Sequence, residues 1–455
     1  MIAGAELVKV LGDFLPGQRW YAGSGSPDAL AVRHQEVLRP AWPGLVRAVV
    51  DADAATYQVL VGLRPALEAP EFLRGRDDAV MGEVATEAGP ALAYEAVLDA
   101  ELGLALLEDV AGGTEGAERV RPLGVEQSNS SLVYDERLIL KLYRRLHPGR
   151  NRDVEVTRAL TRQGFTNVAP VLATSELVTG DLDFDLGALQ PYLGGAAEGW
   201  ALAQTSLRDF LGMQDTLSVP VVGEGDEPSG YVDPAQAGGD FSAEARRLGA
   251  ITAQMHRALA EAFGTERQSP DRWAEEIERR VAGLARASID AEAVAGVLGR
   301  LRELDDPVVA LQGHGDLHLA QALRTDAGWF LIDFEGEPAR PPADRWRRAP
   351  GLRDVAGMLR SFHYAAQVAL LGQPEEEADR ADAWEARNRG AFFDGYAVAA
   401  RRHGLLPSDP AAVAATLAAF ELEKAAYELA YEEAYRPDWA VIPRAALARL
   451  GIGTP

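Results

Sequence analysis

The sequence predicts an α+β protein of two lobes, with strands dominating the first part of the chain and helices the last. Residues 1–90 carry short alternating apolar runs separated by Pro/Gly turns, residues 91–195 mix strands with single helices, and beyond Trp200 the apolar period becomes helical. At 455 residues the chain exceeds what one hydrophobic core supports. The expected division is an N-terminal strand-rich cap domain over 1–90, a β-rich intermediate lobe over 91–195 and a helical C-terminal lobe over 196–455.

The opening MIAGAELVKVLGDFLPGQRW has no basic region leading an apolar block, so it reads as a short amphipathic helix and not as a signal peptide. AVRHQEVL, LVRAVVDAD and TYQVLVGL follow as strands, and 91–110 as a helix. SSLVYDERLILKLYRR alternates and reverses at Asp135-Glu136, as a hairpin does. NRDVEVTRALTRQG has helical spacing and stops at Gly164. VAPVLATSEL and FDLGALQPYL are further strands, and the Gly/Pro/Asp-rich stretch 220–240 is expected to be a mobile loop. Within the helical part, 308–335 interrupts with two short apolar strands. A mixed lobe followed by a helical lobe suits a nucleotide held in a cleft.

Composition narrows the chemistry. The chain has no cysteine, which excludes disulfides, thiolate metal sites and cysteine nucleophiles. A net charge of −24 argues against nucleic acid and anionic membranes as partners. No apolar run reaches transmembrane length, and a cytoplasmic protein is expected, as a monomer or weak dimer. Lysine occurs only at positions 9, 141 and 424, every other cation being Arg, so a lysine inside an apolar strand stands out.

The two strands at 308–335 flank GHGDLHLAQAL (313–323), and Asp333 follows Asp316 by seventeen residues in FLIDFEGEP. Phosphoryl transfer needs a carboxylate that orients the acceptor hydroxyl, oxygen ligands for Mg²⁺, and a cation for the non-transferred phosphates. Gly315 permits a tight turn that aims Asp316 into a cleft as the base. Gln321, Asp333 and Glu335 supply hard oxygens for Mg²⁺. Lys141, in RLILKLY, points away from the face of Leu140 and Leu142 and is expected to reach ATP phosphates, with Glu155 as its partner. EQSNSS (126–131) lacks the Walker pattern, yet Ser128, Asn129 and Ser130 can donate to phosphates from a turn. The bland alternative for the two motifs is an Asx-type turn made by His314 and Asp316, with Asp333 capping a strand, and Asp354 either complements a helix dipole or hydrogen-bonds the catalytic loop from below. His256 and His363 read as core or cleft-wall residues.

HGDLHLAQ, LIDFEGEP, EQSNSSLVYDERLILKLYRR, RDVAGMLRSF, YELAYEEAYRPDW, QRWYAG and AAEGW together resemble the actinobacterial maltokinases over most of the chain. These are aminoglycoside-phosphotransferase-like sugar kinases, and glucosamine kinases are among their relatives. The resemblance implies a eukaryotic-protein-kinase-like two-lobed fold of aminoglycoside phosphotransferase type behind an N-terminal cap. It implies ATP and Mg²⁺ as cofactors, a small sugar as substrate, and Asp316 as the catalytic base. It also implies that Gln321, Asp333 and Glu335 serve the metal, that Lys141 and Glu155 serve the phosphates, and that His314 and Asp354 support the loop. A sugar pocket near Asp316 would then include His318, Glu428, Glu432, Glu433, Tyr435, Arg436 and Trp439. Two positions depart from the family pattern: Ala434 stands where Arg is expected, and Ala320 where Gly is common. Fewer cations beside more carboxylates favour an ammonium-bearing acceptor, so the expectation leans to glucosamine, phosphorylated at O6, over maltose at O1. An aminoglycoside acceptor and an inactive nucleotide or sugar sensor are the other readings.

Overall fold

The structure is a computed structural model, and it describes residues 2–21, 30–53, 55–67, 70–113, 115–123, 129–212, 240–284, 289–338, 340–372, 374 and 377–453. The expected loop at 220–240 lies, but for its last residue, outside these. The chain divides into two compact units: residues up to Arg158 with Ala169–Gly194, and Ala159–Val168 with Gly195 onward.

The first unit begins with helix α1 (Gly4–Phe14) and strands β1 (Leu30–Arg39), β2 (Gly44–Ala52), β3 (Ala55–Pro65), β4 (Val80–Thr86) and β5 (Gly89–Glu95). They form an antiparallel sheet of order β1-β2-β3-β5-β4. Helix α2 (Ala100–Ala111), strands β6 (Val120–Pro122), β7 (Asn129–Tyr134), β8 (Leu138–Tyr143) and β9 (Arg145–Leu146), helix α3 (Arg152–Arg162) and strands β10 (Ala173–Thr179) and β11 (Leu182–Pro191) follow. A second sheet runs β10-β11-β8-β7-β6.

The helix expected over 91–110 starts only at Ala100, where Asp99 caps it by accepting the N–H of Glu101. Residues 91–95 extend the sheet instead, because Gly89 and Pro90 precede them and strands on both sides supply hydrogen-bond partners. The hairpin turns where expected: Asp135 and Glu136 both have positive φ, and the Asp135 carboxylate accepts the N–H groups of Glu118 and Arg119.

Strand β2 is buried on both faces because both are covered. Val46, Ala48 and Val50 pack under Leu7, Val10, Leu11 and Phe14 of α1, whereas Leu45 belongs to the cluster of Leu102, Leu106, Leu140 and Leu142. The fully buried Gln58 of β3 donates from its amide to the carbonyls of Tyr143 and Leu186, and β9 pairs with β3. The first sheet is thus joined directly to strand β8, which carries Lys141.

The second unit contains strand β12 (Ala197–Glu198), helix α4 (Gly199–Gly212), helix α5 (Ser242–Phe263), strand β13 (Thr265–Gln268), helices α6 (Pro270–Leu284) and α7 (Ala291–Arg302) and strand β14 (Val308–Leu311). Then come strands β15 (Ala322–Thr325) and β16 (Gly328–Leu331), helix α8 (Pro342–Arg345), strand β17 (Ala349–Pro350) and helices α9 (Leu352–Leu370), α10 (Ala378–Arg402), α11 (Pro410–Tyr435) and α12 (Val441–Arg449). Trp273, Ile277, Val297, Leu298, Phe420 and Leu447 centre one core of this unit. Among the described residues no helix is long and apolar enough to cross a membrane.

Helices α5 and α10 approach through mutual glycines. A Cβ on Gly249 would lie 2.0 Å from the Phe392 carbonyl oxygen, and one on Gly395 would lie 2.0 Å from that of Arg246. Gly395→Ala is therefore expected to lower the free energy of urea unfolding by about 1–3 kcal/mol. Gly390→Ala, whose Cβ would meet nothing within 4 Å, is the control and should not lower it.

Candidate active site

Strand β14 runs into the segment Gln312 to Asp316, and a buried carboxylate fixes that segment. Asp354, in the first turn of α9, accepts the N–H of His314 at 2.7 Å and that of Gly315 at 2.9 Å. His256 Nε2 on α5 donates to the same carboxylate at 2.9 Å, and its Nδ1 faces the Tyr396 hydroxyl at 3.1 Å. Burial alone would raise the Asp354 pKa, but His256, His314 and the Gly315 N–H hold it well below the usual carboxylate range. Gly313 is needed here, since a Cβ would sit 2.5 Å from Asp354 Oδ2. Of the two readings of Asp354, the structure gives the one that holds the loop. His256, expected as a core or cleft-wall residue, is buried and acts through Asp354; a single histidine on an amphipathic helix gave no sign of it.

His314 ties the two motifs together. Its Nε2 donates to the Ile332 carbonyl at 3.0 Å, its Nδ1 lies 3.4 Å from the N–H of Asp316, and its ring lies 4.6 Å from that of Phe334. Asp333 follows Ile332 with φ +65°, a left-handed conformation uncommon for a residue with a side chain. Its Oδ2 accepts from Gln321 Nε2 at 3.1 Å, a bond that does not use the Gln321 side-chain oxygen. Glu335 follows, half-buried, in the adjoining turn. Among the described residues no three His, Cys, Asp or Glu side chains gather as a cage for a metal ion. Two hard oxygens fit Mg²⁺, which usually takes one or two carboxylates with water and substrate phosphates.

Asp316 is half-buried at the tip of the loop, and its Oδ1 accepts a hydrogen bond from Lys424 Nζ at 2.9 Å. Its Oδ2 lies 4.0 Å from His318 Nε2. Burial pushes the Asp316 pKa up, but Lys424, His318 and His314 overcome this and bring it down to about 2. His318 is itself lowered to about 4, by burial against the pull of Asp316. Lys424, on α11, was not singled out as a site residue. Its scarcity was the available signal, the same signal that marked Lys141.

The cavity against Asp316 is about 30 Å³, room for one small polar group. Asp316, Asp354, Glu337 and Glu423 line it against Arg353 and Lys424, an excess of carboxylates.

In the first unit, Lys141 lies 3.4 Å from Asp153 in an ion pair, so the partner is Asp153 and not Glu155. Both carboxylates sit in the first turn of α3, and the start of the helix at Arg152 turns Asp153 to the strand. Ser130 does not share the Lys141 face. It pairs with Leu142, and its hydroxyl accepts from Arg144 Nε at 2.8 Å on the opposite side of the sheet. Asn129 and Ser131, opposite Tyr143 and Lys141, do share that face. Ser128 lies outside the described residues.

The carboxylates expected to greet an ammonium are already matched. Glu428 accepts from Arg360 at 2.5 Å, and Glu433 from Arg444 at 2.9 Å. Glu432 accepts from Arg436 at 2.6 Å and from the Tyr364 hydroxyl at 2.5 Å. Glu433, Asp438 and Tyr435 are exposed; Tyr435 stacks on Tyr431, and Arg436 lies over Trp439 at 4.5 Å. The acidic departure at 432–438 therefore leaves no buried, unpaired carboxylate, and it does not favour an ammonium acceptor.

Residues 14–99 match the maltokinase N-terminal cap domain. A glucosamine kinase of Mycolicibacterium smegmatis is 30% identical over 344 residues, which cover 74% of this chain and 81% of that protein. The chain belongs to the sugar-kinase family that contains the glucosamine kinases. A glucosamine kinase of Streptacidiphilus jiangxiensis is 27% identical over 346 residues, covering 72% of this sugar kinase and 73% of the relative. A solved glucosamine kinase in complex with glucosamine, ADP and inorganic phosphate superposes with a TM-score of 0.66 at 22% identity, over 99% of this chain and all of that one. This sugar kinase has the α+β aminoglycoside-phosphotransferase and protein-kinase-like fold with an N-terminal cap, as the sequence led one to expect.

Because Lys424 is among the groups that depress Asp316, Lys424→Met should raise the pKa of Asp316. Asp316 then protonates at higher pH, and activity below neutrality is lost sooner. The acid limb of kcat/KM against pH should move upward by about a unit or more while kcat falls about ten- to a hundredfold. Asp354→Asn replaces an acceptor of three hydrogen bonds by an amide that must turn its NH₂ toward at least one donor. It should lower both the thermal midpoint and kcat, measured by a melting curve and a coupled assay.

Proposed function

We propose that this sugar kinase transfers the γ-phosphoryl group of ATP to a hydroxyl of an amino sugar, with glucosamine, phosphorylated at O6, as the leading acceptor. The observation that carries phosphoryl transfer is Asp316, paired with Lys424 on a loop anchored by Asp354 and joined through His314 to the turn of Asp333. Asp316 Oδ2 accepts the hydrogen bond of the acceptor hydroxyl and takes its proton as that oxygen attacks the γ-phosphorus and ADP leaves. Lys424 on Oδ1 keeps the carboxylate in one rotamer and ionised. Lys141, braced by Asp153, contacts the non-transferred phosphates, with Asn129 on the same sheet face.

Asp333 and the Gln321 carbonyl would hold Mg²⁺, with Glu335 following in the adjoining turn. When bound, the ion neutralises charge on the phosphates. The cap, the β-rich lobe with Lys141 and the helical lobe with Asp316 are taken as the working domains.

The related glucosamine kinases support an amino sugar. Maltose is the second reading. The arginine-matched Glu428, Glu432 and Glu433 leave a nearly neutral wall on α11, which suits an uncharged sugar.

A coupled assay with ATP against glucosamine, maltose, glucose and kanamycin tests this. The expected result is the highest kcat/KM with glucosamine and a fall of about 10²–10⁴-fold in kcat for Asp316→Asn. A clear preference for maltose would replace the acceptor, and an undiminished Asp316→Asn enzyme would remove the base.

A further inference from the structure

A second cavity of about 400 Å³ lies on the far side of the wall that closes the Asp316 pocket. Arg279 and Arg280 of α6, Arg340 and Arg347 line it, with Glu276 and Asp344 as its acidic residues. Its lining is therefore net positive in a chain whose net charge is −24. The volume falls in the range of small-ligand sites, about 300–1,000 Å³.

The wall between the two cavities is a layer of buried ion pairs with a direction. Glu337 and Glu423 line the Asp316 pocket, and Arg280 and Arg340 line the second cavity. Arg280 meets Glu423 at 3.0 Å and Glu337 at 3.3 Å, and Arg340 meets Glu423 at 2.8 Å and Glu337 at 3.0 Å. Tyr427 lines both cavities. On the outer side, Arg279 has no carboxylate partner among the described residues, its Nε donating only to the Glu275 carbonyl, and Arg347 meets Asp344 alone.

We propose that this arginine-lined cavity binds the phosphoryl group of a small phosphate monoester and thereby modulates the kinase site. Guanidinium groups match phosphate oxygens with paired N–H donors, which is the chemistry this lining offers. A bound phosphoryl group competes with Glu337 and Glu423 for Arg280 and Arg340. As it draws those cations outward, the two carboxylates facing Lys424 and Asp316 lose neutralising charge. Binding and turnover are then coupled reciprocally through this layer. A sugar phosphate, the product class of a sugar kinase, and free inorganic phosphate share the recognised group.

Calorimetric titration of the full chain, saturated with a non-hydrolysable ATP analogue and glucosamine, reads binding without turnover in either direction, and the arginine variants separate this cavity from the acceptor site whichever acceptor is correct. The probes are glucosamine 6-phosphate, glucose 6-phosphate and inorganic phosphate. One site is expected per chain, with tighter binding of the monoesters if the cavity serves a sugar phosphate and equal binding if it serves phosphate itself. Arg279→Ala/Arg347→Ala should weaken it at least tenfold, and Arg279→Glu should abolish it. These side chains do not touch the Asp316 pocket, so basal kcat should be unchanged and reports that each variant is folded. Absence of binding, binding unaltered in the variants, or displacement of the probe by rising glucosamine would overturn the proposal.

Discussion

The candidate site depends on one buried carboxylate. Asp354 gathers two backbone N–H groups of the loop that carries Asp316 and the imidazole of His256, and its ionised form is what makes all three bonds possible. Without it the N–H groups of His314 and Gly315 would be buried donors lacking their partner, a cost of about 1–3 kcal/mol each. The glycines at 313 and 351 follow from it, because a Cβ at either would strike Asp354, or His256 and Tyr396. Asp316 is presented by a loop that is held from behind, and its direction is set before any substrate arrives.

Charge is layered outward from that anchor. Asp316 is balanced by Lys424, and Glu337 and Glu423 are balanced by Arg280, Arg340 and Arg353. The carboxylates line the cavity at Asp316, and two of the three arginines line a separate one. Such an arrangement keeps an ionised base beside buried acids without leaving any of them unmatched.

The fold was legible in sequence, and so was the local geometry around Asp316 and Asp333, because tight glycine turns and strand ends are local. Asp316, Gln321 and Asp333 are brought into one unit, and the hairpin around Asp135 turns where its residues indicate. What escaped was the choice of face. Ser130 and Asn129 are neighbours, yet the two-residue period of a strand sends Ser130 to Arg144 and Asn129 to the side of Lys141. Asp153 and Glu155 are two residues apart in one helical turn, and only the orientation of α3 selects Asp153. Lys424 is 108 residues from Asp316, a pairing that no local pattern encodes. Glu432 was misjudged for the opposite reason, since Arg436 stands four residues on, and an i, i+4 pair was visible in the sequence.

We propose that Lys424 serves the reaction through Asp316, to which it donates at 2.9 Å. A double-mutant cycle on kcat with Lys424→Met, Asp316→Asn and the double variant, at fixed pH and saturating ATP and sugar, tests it most directly. The account predicts strong non-additivity: once Asp316 is Asn, removing Lys424 changes kcat by less than about threefold. Additive losses from the two substitutions would contradict it, because Lys424 would then act on the reaction independently of Asp316.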